Sequence, residues 1–107
     1  MRALSIRQPY AEQILRGTKR FEYRSRLTII RERIYIYASC KPGPAKEFEQ
    51  MYIQPGDLMM GVLVGTVEIT DCSGKPGGYK WHLARPRRLK RPRRPTKHPQ
   101  PAWFNPF

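Results

Sequence analysis

The last third of this chain sets the tightest limit on what it can fold into. Residues 75–107 carry ten basic side chains, no acidic one, and seven of the eleven prolines. Proline removes a backbone donor and clashes with the preceding helical turn, so no long helix forms there. Residues 1–74 hold eleven basic and eight acidic side chains, a net charge of +3. A chain of 107 residues has room for one domain with one small core. The first part must supply that core. The expected division is a folded domain over 1–90 and a basic, Pro-rich tail over 91–107, with Ala102 to Phe104 suited to form a last strand.

Within the folded part, hydrophobic spacing marks the elements. Ala3 to Ile6 reads as a short strand. Pro9 suits the first turn of a helix, where its missing N–H costs nothing. Tyr10, Ala11, Ile14 and Leu15 follow at helical spacing, and Gly17 is a C-terminal stop. Phe21 and Tyr23 alternate with Arg20, Glu22 and Arg24, as in a half-buried strand. Ile34, Ile36 and Ala38 alternate with Tyr35, Tyr37 and Ser39 in the same way. Ala45 to Tyr52 fits a short helix with Phe48, Met51 and Tyr52 on one side. Leu58 to Ile69 is a long or bent central strand, with Gly61 and Gly65 at its bends. Gly74 to Gly78 is a loop, and Tyr79 to Ala84 alternates again. The fold class is α+β: a small curved β-barrel of five to six strands with two short helices.

The formal net charge of +13 favours polyanionic partners, because each neutralised phosphate releases condensed counterions. RNA or another nucleic acid or nucleotide is therefore the expected partner. No stretch is long and apolar enough to span a bilayer, so no membrane role is expected. Met1 to Ile6 lacks the apolar run of a signal peptide, and a cytoplasmic location is expected. Cys40 and Cys72 belong to no CxxC pair and are expected to be buried thiols. With His82 and His98 they form no recognisable zinc spacing, and neither a metal nor a cofactor is expected.

Three segments stand out together. They are Leu4-Ser5-Ile6-Arg7-Gln8-Pro9-Tyr10-Ala11, Gly17 to Ser25, and Gly65 to Cys72 followed by Gly78-Tyr79-Lys80-Trp81-His82-Leu83. In this order the chain resembles an ASCH domain, a branch of the PUA-like barrels. Gly17, Lys19, Glu22 and Arg24 match the GxKxxExR pattern in full. The resemblance covers most of residues 2–90 and implies a PUA-like barrel with a cleft beside its first helix. Related families bind RNA, often reading single nucleotides or modified bases. Some ASCH proteins cleave RNA, and others remove the acetyl group of N4-acetylcytidine with the motif lysine. That hydrolase branch carries a threonine where this chain has Glu22.

Read as residues alone, the motif leaves its chemistry open. In an extended strand Lys19 points away from Glu22 and Arg24, unless a turn after Gly17 shifts the phase. If the three converge, Lys19 can bind phosphate or act as a nucleophile or base. Glu22 can accept a base's exocyclic amine hydrogen or serve as a general acid/base, and Lys19 with Glu22 would be the catalytic pair of an enzyme. Pairing of Glu22 with Arg24 or Arg7 is an equally weighted structural role. Ser5, Arg7 and Gln8 sit at a strand-to-helix junction, where backbone N–H groups favour anions. Tyr37 and Trp81 are the aromatic candidates for stacking a base. Arg87, Arg88 and Arg91, interleaved with Pro86 and Pro92, are expected to track a phosphate backbone as an extended tail. The leading reading is a nucleic-acid-binding module. Its rivals are an RNA-related hydrolase, and a protein-interaction module of translation or transcription complexes.

Overall fold

The computed structural model describes all residues, 1–107. Six strands and two short helices follow in the order β1 (Ala3–Ile6), α1 (Tyr10–Arg16), β2 (Phe21–Arg24), β3 (Arg33–Ala38), α2 (Ala45–Gln50), β4 (Val62–Lys75), β5 (Gly78–Arg93) and β6 (Trp103–Phe104). They form one sheet in the order β2-β5-β4-β3-β1-β6. The β1–β3 pair is parallel and the remaining pairs are antiparallel. The sheet curls until the end that carries β2 and β5 comes against the end that carries β1 and β6. Arg24 of β2 donates from Nη2 to the carbonyl oxygen of Ser5 in β1 across 3.1 Å. Beside it, Trp81 of β5 stacks on Trp103 of β6, with ring centroids 5.8 Å apart. This is the expected α+β curved barrel.

Residues of alternating strand positions fill the concave side. Leu4, Ile6, Ile34, Ile36, Val64, Val67, Ile69 and Leu83 form the core with Ala11 and Ile14 of α1. A smaller cluster of Ala3, Tyr37, Leu63 and Phe104 is packed by Leu89 and Tyr35. Helix α2 is fixed by Phe48, which is buried. The face expected to include Tyr52 stops short, because the helix ends at Gln50 and Tyr52, at positive φ, is 95% exposed.

The strand after the hairpin overturns one expectation. β5 does not end near Ala84 but runs to Arg93, so Arg87, Arg88 and Arg91 belong to the sheet and not to a free tail. The boundary drawn after residue 90 falls inside this strand. Pro86 and Pro92 are tolerated for a physical reason. β2 pairs only with Tyr79–His82, so the later part of β5 is an edge, where a missing N–H breaks no ladder bond. Both prolines also lie where the β4 register shifts.

Helix α1 is held to this edge by charge and by close approach. Glu12, nearly buried, accepts from Arg88 Nη1 and Nη2 at 2.8 and 2.9 Å and from Arg16 Nε at 2.7 Å. Burial alone would raise its pKa, but hydrogen bonds from Arg88 and Arg16 outweigh it and hold the carboxyl below its ordinary value. A Cβ built on Gly65 would lie within 2.5 Å of the Arg87 carbonyl oxygen and closer still to Leu15 Cδ2. Gly65 is thus the space that lets α1 settle on β4 and β5.

Two outcomes follow. Because the folded-state pKa of Glu12 is lowered, its contribution to stability is complete above an unfolded glutamate's pKa of about 4.3 and is lost as pH falls through the folded value. Glu12→Gln should cost about 2 kcal/mol at neutral pH in urea unfolding, and that difference from wild type should shrink on acidification. A gap that stayed constant down to low pH would contradict this. Gly65→Ala should cost about 1–3 kcal/mol by overpacking against a backbone atom, read from the same unfolding curves.

Candidate nucleic-acid interface

Helix α1 stops at Gly17, which takes a left-handed φ of 80°. The Gly17 N–H donates to Ile14 O, and the Thr18 and Lys19 N–H groups both return to Gln13 O at 3.0 and 3.1 Å. This wrap turns the chain before β2 begins, so Lys19 is free of the strand's alternation. Its Nζ comes to 3.7 Å from Glu22 Oε1. Glu22 Oε2 accepts from Arg24 Nη2 at 2.8 Å and from Arg24 Nε at 3.3 Å. The arginine's remaining reach goes to the Ser5 carbonyl, with its guanidinium 5.6 Å from the Trp81 ring centroid. The phase shift that the motif required is present.

This puts Glu22 and Arg24 on the inward face of β2, with Glu22 buried, while Tyr23 is 60% exposed. Here the apolar side of the alternation points outward. β2 borders an open cleft instead of the core, and there a charged pair can be satisfied. A buried carboxylate is costly unless its oxygens are engaged, and both oxygens of Glu22 are.

The opening is a cleft of about 870 Å³ between the end of β1, the start of α1, β2, the end of β3 and the segment Pro99–Ala102. Its charged lining is Arg7, Lys19, Arg24 and Lys41 against Glu22 alone. Lys19 and Arg24 are occupied with Glu22, whereas Arg7 and Lys41 have no carboxylate within 4.0 Å. Tyr10 and Tyr37 bring phenols to the same space. Burial raises the pKa of each, helped by Glu47 and Glu22 at Tyr10 and by Cys40 at Tyr37, so both stay neutral near pH 7. The cleft can therefore take an anion at Arg7 and Lys41, and can offer a carboxylate acceptor at Glu22.

Ser5, Arg7, Lys19, Glu22, Arg24 and Tyr37 are brought together in this cleft. Gln8 lies outside it. Buried under α1, it accepts from the Glu12 N–H at 3.0 Å and donates to Met59 O at 3.1 Å, so both ends of its amide are used by the fold. Trp81 stands behind Arg24, buried against Trp103, with Nε1 donating to Arg26 O at 2.9 Å. Arg88 is taken by Glu12, while Arg87 and Arg91 are exposed on β5, away from the cleft. Ser5 is also a fastener: its Oγ donates to Gln100 O at 2.7 Å and its N–H to Ala102 O at 2.9 Å. Sequence reasoning missed Lys41, Tyr23 and the wall formed by Pro99–Ala102. Lys41 had a signal, since it opens the Lys41-Pro42-Gly43-Pro44 break just beyond the β3 alternation; the wall had none, because only the fold returns it to β1. Cys40, expected to be buried, is an exposed free thiol on the rim, and Cys72 is partly buried and unpaired. No helix is long and apolar enough to cross a membrane.

Over 80 residues the chain is 34% identical to activating signal cointegrator 1 of Homo sapiens and 36% identical to the Mus musculus protein of the same name. Each alignment covers 64% of this chain but 14% of the relative, so the chain spans a small part of those proteins' length. The ASCH domain family profile matches residues 4–93, which run from β1 to the last residue of β5. With β2 to β5, nearly all of β1, both helices and the GxKxxExR segment inside that match, and only β6 beyond it, the chain belongs to the ASCH domain family.

Proposed function

We propose that this domain binds RNA, holding one nucleotide in the cleft. The observation that carries the reading is the convergence of Lys19, Glu22 and Arg24 on one open cavity whose only carboxylate is Glu22. In this reading Arg7 and Lys41, which lack acidic partners, receive a phosphate. Glu22, fixed by two cations, accepts a hydrogen from the exocyclic amine of a base. Ser5 and Tyr37 add hydroxyls to the polar lining. Arg87 and Arg91, on the exposed edge of β5, supply sequence-independent affinity for the backbone on either side. Gln8, Trp81 and Arg88 support the site indirectly, by fixing α1, by backing Arg24 and by holding Glu12.

A hydrolase reading would use Lys19 as the attacking or proton-moving group with Glu22 beside it. The 3.7 Å Lys19–Glu22 contact favours it as far as proximity goes. Against it, Glu22 stands where the deacetylating branch carries threonine. The name shared by the two relatives, a signal cointegrator, suits an RNA-binding or assembly module at least as well.

Two measurements separate these readings. Affinity for single-stranded RNA should fall with salt, and Arg7→Ala or Lys41→Ala should each flatten the log–log slope by about 0.7. A nearly flat wild-type response would sink the binding reading. Incubated with N4-acetylcytidine or labelled RNA, the wild-type protein should bind without turnover, and Lys19→Ala should weaken binding. Turnover that disappears in Lys19→Ala would instead establish the hydrolase.

A further inference from the structure

Tyr23 is the aromatic side chain on this surface that the fold leaves without a structural task. It lies on the edge strand β2, 60% exposed, while the residues on either side of it, Glu22 and Arg24, point into the cleft. Two ammonium groups flank its ring: Lys19 Nζ at 5.0 Å and Lys80 Nζ at 6.0 Å from the centroid. The β2–β5 register places Tyr23 opposite Lys80 and Phe21 opposite His82. Phe21 continues the pattern, with Lys80 Nζ 5.1 Å from its ring and His82 edge-on at 5.0 Å. The outer face of this sheet corner is therefore a run of aromatic rings interleaved with cations. It is continuous with the cleft, since Tyr23 and Lys19 line both.

We propose that Tyr23 is a stacking platform for a second base, adjacent to the nucleotide in the cleft, so that the ligand is a single strand of at least two nucleotides. The inference rests on the nucleic-acid reading above and adds what kind of strand the site takes. A base laid on the Tyr23 ring buries two apolar faces while Lys19 and Lys80 stand beside the phosphates that flank it. Such a base must be unstacked from its own neighbours. Single strands offer one, and the interior of a duplex does not. An apolar protein partner would gain little here, because the rings are hemmed by two ammonium groups, of which Lys80 has no carboxylate within 4.0 Å. The charge pattern selects a polyanion that also carries flat rings.

The test compares affinities for an RNA mononucleotide, a short single-stranded oligonucleotide and the same sequence as a duplex. Wild type, Tyr23→Ala and Tyr23→Phe are measured in parallel. Wild type should prefer the oligonucleotide to both other ligands. Tyr23→Ala should reduce the ratio of oligonucleotide to mononucleotide affinity about tenfold, and Tyr23→Phe should keep it. A 2-aminopurine placed next to the cleft-held nucleotide should be quenched on binding to wild type and to Tyr23→Phe, but not to Tyr23→Ala. Because Tyr23 is exposed, a circular dichroism spectrum matching wild type will confirm that the variant is folded. If wild type binds the oligonucleotide and Tyr23→Ala leaves both ratio and quenching unchanged, the platform is refuted while the cleft reading stands. If wild type binds no RNA at low salt, both fail together.

Discussion

The two ends of the curled sheet meet across a gap with no backbone pairing, and one guanidinium spans it. Arg24 holds Glu22 on its own strand and the Ser5 carbonyl on β1, with the Trp81–Trp103 stack behind it. A guanidinium suits this role because its donors lie in a fixed plane and can serve two acceptors at once. An ammonium on a flexible stem could satisfy either acceptor but would fix no relative geometry. Glu22 is in turn acceptable in a buried position only because Arg24 and Lys19 are there. Closure of the barrel and construction of the site are therefore the same set of contacts.

That arrangement explains why a cleft exists where it does. The terminal strands, β2 and β6, do not pair with each other, so a cavity of about 870 Å³ stands open between β2 and the end of the sheet that carries β1 and β6. Joined by long side chains, the ends stay apart and leave polar walls facing water. The C-terminal segment then shapes the opening. Ser5 fastens residues 100 and 102 through its hydroxyl and its N–H, so the same short strand anchors the arginine on one side and the wall on the other. The exposed Tyr23 is the outward consequence of turning Glu22 inward, because alternation leaves no other place for it.

Much of this was legible in the sequence, and the parts that were not have definite causes. The spacing of Tyr10, Ala11, Ile14 and Leu15, with Gly17 as the stop, located α1 closely, since burial and the left-handed cap act locally. Convergence of Lys19, Glu22 and Arg24 depended on hydrogen bonds from residues 17–19 back to residues 13 and 14, which a period-two reading cannot supply. Apolar alternation suggested that Phe21 and Tyr23 would face the core. It failed because the strand borders a cleft, where the buried side is the charged one. Pro86 and Pro92 suggested a tail, but proline content cannot tell a free segment from the unpaired edge of a strand. Gln8 looked like a ligand because glutamine is a poor helix cap, yet its carbonyl oxygen reaches the Glu12 N–H.

The distribution of charge joins these observations. Eight of the twenty-one Lys and Arg side chains lie within 4.0 Å of a carboxylate, which engages nearly every acid that the strands and α1 carry. Those pairs do structural work at the seam, on α1 and along β4. The unpaired cations are concentrated elsewhere, with Arg87, Lys90, Arg91, Arg93, Arg94 and Lys97 within one stretch at the edge of the sheet and just beyond. Like charges so close repel one another and weaken the compact state, a cost that solvent screening reduces without removing. A chain that needed only to fold would gain by replacing several of them. A polyanion laid along that edge would relieve the repulsion and, by binding the folded state, stabilise it. On the binding reading, the excess charge on this edge makes physical sense as a surface whose stability would improve on meeting a polyanion, while the cleft keeps its own unpaired cations at Arg7 and Lys41.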